Sequence, residues 1–357
     1  MKDKLSWGII GTGRVATDFA RAVQATDGGR VVSAVGTTRA HGEAFAATWG
    51  LPAWAESIDA LVHDPAVEAV YVATPHPCHE EHALAAIRAR KAVLCEKPIA
   101  MNAASAARIV EAARATDVFL MEAFMYRCHP LTAAVLARLR DGAIGSVRHV
   151  AASFAFRARR DPASRLYDKA QGGGAILDVG GYPLSFARLI AGVVEEQPFA
   201  EPVAFHAHGF VGPLGADELA SALLRFRSGM TATLTCAVHH DGGMRAEIYG
   251  ESGKIVLPQP WIPGGRPDGL DTELILHRDG HGPETIPVRS RVATYALEAE
   301  LVAATLPAVE ARWPAMTWAD TLGNMRGLDA WLAAVHRDDD PQQPNPSEGA
   351  DREPGSP

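Results

Sequence analysis

The sequence predicts an α/β chain: an open parallel sheet flanked by helices, followed by an α+β unit built on a large, mostly antiparallel open sheet. Three observations carry this. Apolar strand-length runs alternate with helix-compatible stretches through the first third of the chain, as βα repeats do. A glycine-rich turn follows the first of those runs directly. From about Ser146 the pattern becomes a succession of strand-length segments with few helices among them. At 357 residues the chain is long enough for two domains, each with its own core.

The first run ends Trp7-Gly8-Ile9-Ile10 and enters Gly11-Thr12-Gly13-Arg14-Val15-Ala16, a G-x-G-x-x-A turn, before a helical stretch at 17–25. Gly11 permits the tight turn, Gly13 lets main chain approach a pyrophosphate, and Ala16 keeps helix and strand close. Gly11, Thr12, Gly13, Arg14 and Val15 are therefore the candidate phosphate-binding turn of a Rossmann domain. Val31-Val32-Ser33-Ala34-Val35 reads as a second strand buried on both faces, with Gly36 to Arg39 as its exit loop. Helices are expected at 41–49 and 57–63, a strand at 69–73 and a helix at 82–90. A strand at 92–95 delivers Glu96-Lys97-Pro98 at its carboxyl end, where open parallel sheets bind their ligands. A helix at 102–116 and a strand at 118–121 complete this part.

The expected domains are 1–125, a nucleotide-binding domain, and 126–337, a second, substrate-binding domain. The latter has strands at 147–156, 205–210, 219–226, 230–238, 246–250 and 254–257, and helices at 175–190, 295–304 and 318–335. The tail, 338–357, is rich in Pro, Asp, Glu, Gln and Ser and is expected to be disordered, because it offers too little apolar surface for a core.

Composition is that of a soluble globular protein, 47% hydrophobic and 21% charged. A net charge of -8 without a basic run argues against a nucleic-acid surface. The start of the chain leads almost directly into the first strand and no apolar run reads as membrane-spanning, so a cytoplasmic protein is expected. Cys78, Cys95, Cys128 and Cys236 show no C-x-x-C pairing, which predicts reduced thiols and no structural zinc. His239-His240-Asp241 is not read as a metal site, because adjacent residues of an extended chain face opposite ways.

A carboxylate at the end of the second strand usually holds an unsubstituted ribose. Here that position offers Thr37, Thr38 and Arg39, hydroxyls and a cation that suit a 2'-phosphate. NADP is therefore expected, with NAD possible. Hydride transfer also needs a group to take or give the hydroxyl proton. Lys97 supplies charge that can polarise a carbonyl or lower a neighbouring phenol's pKa. If 175–190 is one α-helix, Asp178 and Tyr182 lie on one face, four residues apart, and both can meet substrate. Tyr182 is the candidate proton donor and acceptor, with Asp178 orienting substrate or phenol. Tyr126 and Arg127, at the end of a strand, with Phe156 and Arg165, are candidate substrate contacts. Phe154 and Phe156 share one strand face, a pattern that favours packing over recognition.

With these pieces in place, the chain resembles the glucose-fructose oxidoreductase and inositol dehydrogenase (Gfo/Idh/MocA) family over residues 5–335. The resemblance rests on the fingerprint, on Val93-Leu94-Cys95-Glu96-Lys97-Pro98, on Met121-Glu122-Ala123 with Arg127, and on Gly173-Gly174-Ala175-Ile176-Leu177-Asp178 leading to Tyr182. It is greatest to the branch of dimeric dihydrodiol dehydrogenase and NADP-dependent xylose dehydrogenase. Many members carry histidine where Tyr182 stands; in this branch that tyrosine is the acid/base. The resemblance further implies that Thr74-Pro75-His76, His79, Glu96 and Lys97 touch the cofactor, although His76 stands where asparagine is frequent. It also implies a cis Lys97-Pro98 bond and a homodimer or homotetramer formed through the open sheet. The expected activity is hydride transfer between NADP(H) and a hydroxyl or carbonyl carbon of a sugar or diol. Two alternatives stand beside it: a non-catalytic cofactor-binding regulator, and a sugar-modifying enzyme that recycles its cofactor.

Overall fold

The computed structural model describes residues 4–26, 29–159, 161, 164–266, 268–306 and 308–338. The tail expected to be disordered lies, apart from Asp338, outside the described residues.

The first sheet contains β1 (Leu5–Ile10), β2 (Gly29–Val35), β3 (Ala69–Val72), β4 (Ala92–Glu96) and β5 (Leu120–Ala123), all parallel, in the order β2-β1-β3-β4-β5. Every residue of β1, β3, β4 and β5 is buried, as helices on both faces require. Those helices are α1 (Arg14–Gln24), α2 (Arg39–Trp49), α3 (Ile58–His63), α4 (His79–Arg88) and α5 (Ala103–Ala115). Thr38, Ser57 and Asn102 start α2, α3 and α5, each accepting from the main-chain N–H three residues on. The strand order reverses between β1 and β3, and a crevice opens there at the carboxyl ends of the strands.

After β5 the chain forms α6 (Met125–Cys128) and α7 (Pro130–Arg140), neither expected from the sequence, although Pro130 at a first helical position behind His129 is a readable start signal. The second sheet contains β6 (Val147–Arg157), β7 (Ala204–Val211), β8 (Asp217–Arg225), β9 (Thr231–Ala237), β10 (His239–Gly250), β11 (Gly253–Leu257), β12 (Asp271–Arg278) and β13 (Glu284–Arg289). Its order is β13-β12-β11-β10-β6-β9-β8-β7, antiparallel except for the β6–β9 pair. The β12–β13 hairpin was not expected; Asp279-Gly280 between its strands is the turn signal that marks it.

Between β6 and β7 lies α8 (Gly181–Val194), which packs on β6 and β9. The stretch Lys169–Val194 has the length and apolarity of a membrane span, and 94% of its apolar window is buried inside the fold. Its hydrophobicity thus covers the second sheet, an arrangement that hydropathy alone cannot distinguish from burial in lipid.

The chain then returns to the first sheet. Helix α9 (Thr294–Thr305) places Tyr295, Ala296, Ala299 and Val302 in one core with Trp7, Phe19 and Tyr71. The Phe19 and Tyr71 rings stack with centroids 3.9 Å apart, and Trp7 meets Phe19 edge-on at 5.2 Å. A parallel bridge from Glu310 to Leu120 extends the sheet beyond β5. Helix α10 (Trp318–Asp338) closes the fold across α5, α8 and β7.

Candidate active site

A cleft of about 1200 Å³ runs from the glycine-rich turn to the second sheet. At its nucleotide end Gly11 has φ +99°, and a Cβ there would lie 2.6 Å from the Ala73 carbonyl oxygen, so both conformation and space demand glycine. At Gly13, which precedes α1, a Cβ would meet nothing within 4 Å. That open space at a helix N-terminus, where main-chain N–H groups lack partners, fits a pyrophosphate. Thr12, Arg14 and Val15 also line the cleft, as the sequence indicated.

At the far end of β2, Thr37 and His41 line the cleft, with Thr37 Oγ1 3.1 Å from His41 Nδ1. Thr38 and Arg39 do not. The Thr38 hydroxyl accepts from the His41 N–H and so caps α2. The Arg39 guanidinium donates to Glu43 at 2.8 Å and lies 5.0 Å over the Trp54 ring. The expected 2'-phosphate contacts are thus not presented to the cleft in this arrangement. Each residue instead serves α2 locally, by capping and by an i,i+4 ion pair.

Thr74, Pro75, His76 and His79, from the β3–α4 connection, all line the cleft. His76 Nδ1 is 3.0 Å from the Gly172 carbonyl oxygen; donation there leaves Nε2 as an acceptor. Burial and the charges of Lys97, His79 and Arg165 bring the His76 pKa down to about 3, so the ring is neutral. His79 sits between the Pro98 carbonyl, 2.8 Å from Nδ1, and the Thr74 carbonyl, 2.7 Å from Nε2. Its pKa is lowered to about 4, chiefly by burial, and a neutral ring has one N–H for these two acceptors. His79 thereby ties the β3 loop to the Lys97-Pro98 bond, which is cis.

Glu96 is buried and accepts from the Tyr71 hydroxyl. Burial raises its pKa against the opposing charge of Lys97. Lys97 donates from Nζ to the Asp178 main-chain oxygen at 2.8 Å, and the same nitrogen lies 5.3 Å from the centre of the Tyr182 ring. Asp178 Oδ1 accepts from Arg165 Nη2 at 3.0 Å. Burial opposes ionisation of Asp178, but Lys97 and Arg165 hold its carboxyl below the ordinary range. Lys97, Arg165 and the Asp178–Tyr182 pair thus meet in one cleft from three separate segments.

Two features differ from the sequence reading. Residues Ile176–Gly180 form a π-helical segment ahead of α8, not the start of a single α-helix. The wider turn carries Asp178, and Tyr182 follows in the first turn of α8; π segments of this kind recur at functional sites. The Tyr182 pKa, moreover, is driven up and not down. Burial comes first, then Glu96, Tyr295, Glu298 and Asp178, and together they outweigh any help from Lys97.

Tyr126 and Arg127 are corrected. Neither lines the cleft. Tyr126 is 1% exposed, donor or acceptor to Ser185 Oγ at 2.6 Å, and its ring lies 6.0 Å behind that of Tyr182. Arg127 is as deeply buried, with Nη2 2.6 Å from Asp320 Oδ2 and Nε donating to the Pro314 carbonyl. The short helix α6 turns both side chains inward, and Asp320 on α10, remote in sequence, neutralises the arginine. Phe156 and Arg165 do line the cleft, and so does Phe154, whose pattern favoured packing. Sequence reasoning missed Met244, Ile262, Arg266 and Tyr295. They come from later strands, loops and α9, and no local motif marks them.

Comparisons with known proteins agree with this arrangement. Residues 5–124 match the profile described as an oxidoreductase family with an NAD-binding Rossmann fold, and residues 132–256 match the GFO/IDH/MocA C-terminal domain. Trans-1,2-dihydrobenzene-1,2-diol dehydrogenase of Mus musculus is 34% identical over 275 residues, 76% of this chain and 78% of that protein. The chain belongs to the Gfo/Idh/MocA oxidoreductase family. The Homo sapiens dihydrodiol dehydrogenase is 32% identical over the same shares of the two chains. Among solved structures, a 3-ketoreductase from Actinomadura kijaniata, in complex with NADP and TDP-benzene, superposes with a TM-score of 0.80 at 27% identity. That match covers 93% of this chain and 98% of the reductase. An aldose-aldose oxidoreductase from Caulobacter crescentus shares the fold, with a TM-score of 0.82 at 24% identity and coverage of 94% and 98%. As a Gfo/Idh/MocA member the chain is an oxidoreductase with a nicotinamide-dinucleotide-binding Rossmann domain.

Proposed function

We propose that this enzyme transfers hydride between NADP(H) and a ring carbon bearing a hydroxyl or carbonyl, on a cyclic diol or a sugar. One observation carries the reading: the Lys97 ammonium and the Tyr182 ring face each other at 5.3 Å where the nucleotide cleft meets the apolar pocket. NADP is favoured because no carboxylate ends β2 and the related 3-ketoreductase was solved with NADP.

When bound, the nicotinamide supplies or accepts the hydride. Tyr182 supplies the proton. Its phenol is kept protonated by its buried, anion-flanked setting, which suits donation to a carbonyl oxygen, and the reverse reaction returns that proton. Lys97 brings positive charge toward the developing oxyanion while its contact with the Asp178 carbonyl fixes its direction. Asp178 holds Arg165 over the pocket, and Arg165 Nη1 is buried without a hydrogen-bond partner among the described residues. The guanidinium as a whole is 39% exposed and lines the cleft, where its donors can meet a substrate oxygen. Phe154, Phe156, Met244 and Ile262 form an apolar wall, which favours a substrate with one polar edge and one apolar face.

The test is incubation of the purified protein with NADP or NAD and a panel of cyclic diols, aldoses and polyols, followed by absorbance of the reduced nicotinamide. Turnover on a diol or sugar with NADP supports the reading. Tight cofactor binding without turnover on any of them turns it toward a regulator. Homodimerisation is part of the proposal, supported by Phe210 and Leu223, both 49% exposed on β7 and β8 of the second sheet.

A further inference from the structure

The segment that carries Asp178 and Tyr182 begins abruptly. Gly174 has φ +108°, Ala175 follows, and the π segment starts at Ile176. A helix start leaves main-chain N–H groups without partners, and here no side chain of the segment's own first turn caps it. The acceptor comes from 41 residues downstream. Asp217, first residue of β8 and 1% exposed, places Oδ2 2.7 Å from the Ile176 N–H. The Ala175 main chain also bears on this carboxylate and favours its charged form. The fit is close: a Cβ on Gly174 would lie 2.1 Å from Asp217 Oδ1, which excludes any side chain there.

The same junction holds the substrate loop. A Cβ on Gly173 would lie 2.2 Å from the Arg165 carbonyl oxygen, and the Gly174 N–H donates to the Leu166 carbonyl at 2.8 Å. Asp168 bridges to Gly215, two residues before Asp217. The buried Asp217 carboxylate therefore holds the start of the segment bearing Asp178 and Tyr182 and packs against Gly174, the last glycine of the run that follows Arg165.

We propose that Asp217 is a positioning residue for the reaction, holding the Asp178–Tyr182 segment at the depth where Tyr182 meets Lys97 and Asp178 meets Arg165. Asp217 touches neither the cleft nor the reacting atoms and acts through the main chain of Ala175 and Ile176. This inference rests on Tyr182 being the proton-transfer group.

The experiment compares Asp217→Asn and Asp217→Ala with wild type, with active enzyme counted by titration with NADPH. Asparagine keeps a neutral acceptor for the Ile176 N–H but loses the charge and puts an NH2 group in place of one carboxylate oxygen; alanine keeps no acceptor. Turnover per NADPH-binding site is expected to fall about fivefold for Asp217→Asn and about thirtyfold or more for Asp217→Ala, with NADPH affinity within about twofold of wild type. A merely structural role would lower the amount of folded enzyme and leave turnover per site unchanged, and that result for Asp217→Asn overturns the proposal. Loss of NADPH affinity in step with turnover overturns it as well, since the effect would then reach the Rossmann sheet. If Asp217→Ala does not fold, Asp217→Asn decides alone. Tyr182→Phe, run alongside, separates the two readings. Full turnover in Tyr182→Phe removes the functional reading, whereas a crippled Tyr182→Phe beside a fully active Asp217→Asn removes only this one.

Discussion

The Lys97 ammonium donates to the main-chain carbonyl of Asp178, 2.8 Å away, while the Asp178 carboxylate turns to Arg165. One residue of the π segment therefore orients two cations, one toward the nicotinamide end of the cleft and one over the substrate pocket. A helix with regular α turns satisfies its carbonyls internally; the widened turn and cleft-facing carbonyl belong together.

Tyr182→Phe should lower turnover by about a hundredfold or more, the usual size of a general-acid contribution, while NADPH binding stays unchanged. Steady-state rates beside cofactor titration check this. A Tyr182→Phe enzyme within a few-fold of wild type would move proton transfer to a water or another side chain.

Arg165→Met should raise the substrate KM by about tenfold and leave cofactor affinity unaltered, because the substrate loses the donors of the cleft-lining guanidinium. The same change frees Asp178, whose ionisation Arg165 favours, so turnover should fall too. An unchanged KM would show that the Arg165 guanidinium meets no substrate oxygen.

Arg39→Ala should weaken NADP by about tenfold and NAD little, on the premise that a charge-assisted contact reaches the 2'-phosphate. In the structure Arg39 is committed to Glu43, an exposed pair that contributes little to stability. Glu43→Gln should therefore free the guanidinium and tighten NADP. Equal losses of both cofactors in Arg39→Ala would assign the 2'-phosphate to other residues, Thr37 and His41 first among them.

Glu122 offers a pH test of stability. Burial pushes its carboxyl up from 4.5 to about 7. The fold thus favours the protonated form, and the stability this confers is complete below about pH 4.5 and lost as pH rises through about 7. Glu122→Gln lacks this titration but keeps an acceptor for the Ile99 N–H, which Glu122 Oε1 now accepts at 2.9 Å. Between pH 5 and pH 9 wild type should lose about 3 kcal/mol more stability than Glu122→Gln, measured by denaturant unfolding at each pH. Parallel losses would contradict the assignment.

The nucleotide end of the site was legible because its chemistry is local. Gly11, Gly13, Thr74 and Lys97 each sit within a few residues of a strand end, and strand ends in a parallel sheet are where the crevice forms. Phe156 and Arg165 were legible for a similar reason, near the end of β6 and ahead of the glycine run. Arg127 misled because its sequence neighbourhood resembles a site, whereas its partner, Asp320, lies 193 residues away. An isolated cation at a strand end reads the same whether it faces substrate or a buried carboxylate. For Arg39 the competing partner was legible, since Glu43 stands one helical turn on.

By itself the sequence determined the parallel sheet, the glycine turn, the placement of Lys97 at the end of β4, and the nearness of Asp178 and Tyr182 along one helical stretch. All of these follow from periodicity and from residues within about one turn of each other. Tertiary structure decided that the aspartate's segment would be π-helical, that Asp217 would cap it, that Tyr126 and Arg127 would turn inward, and that α9 would return to the first sheet. Each of those outcomes depends on groups brought together from distant parts of the chain. Burial changes their charge, partners and accessible space in ways that a local pattern does not encode.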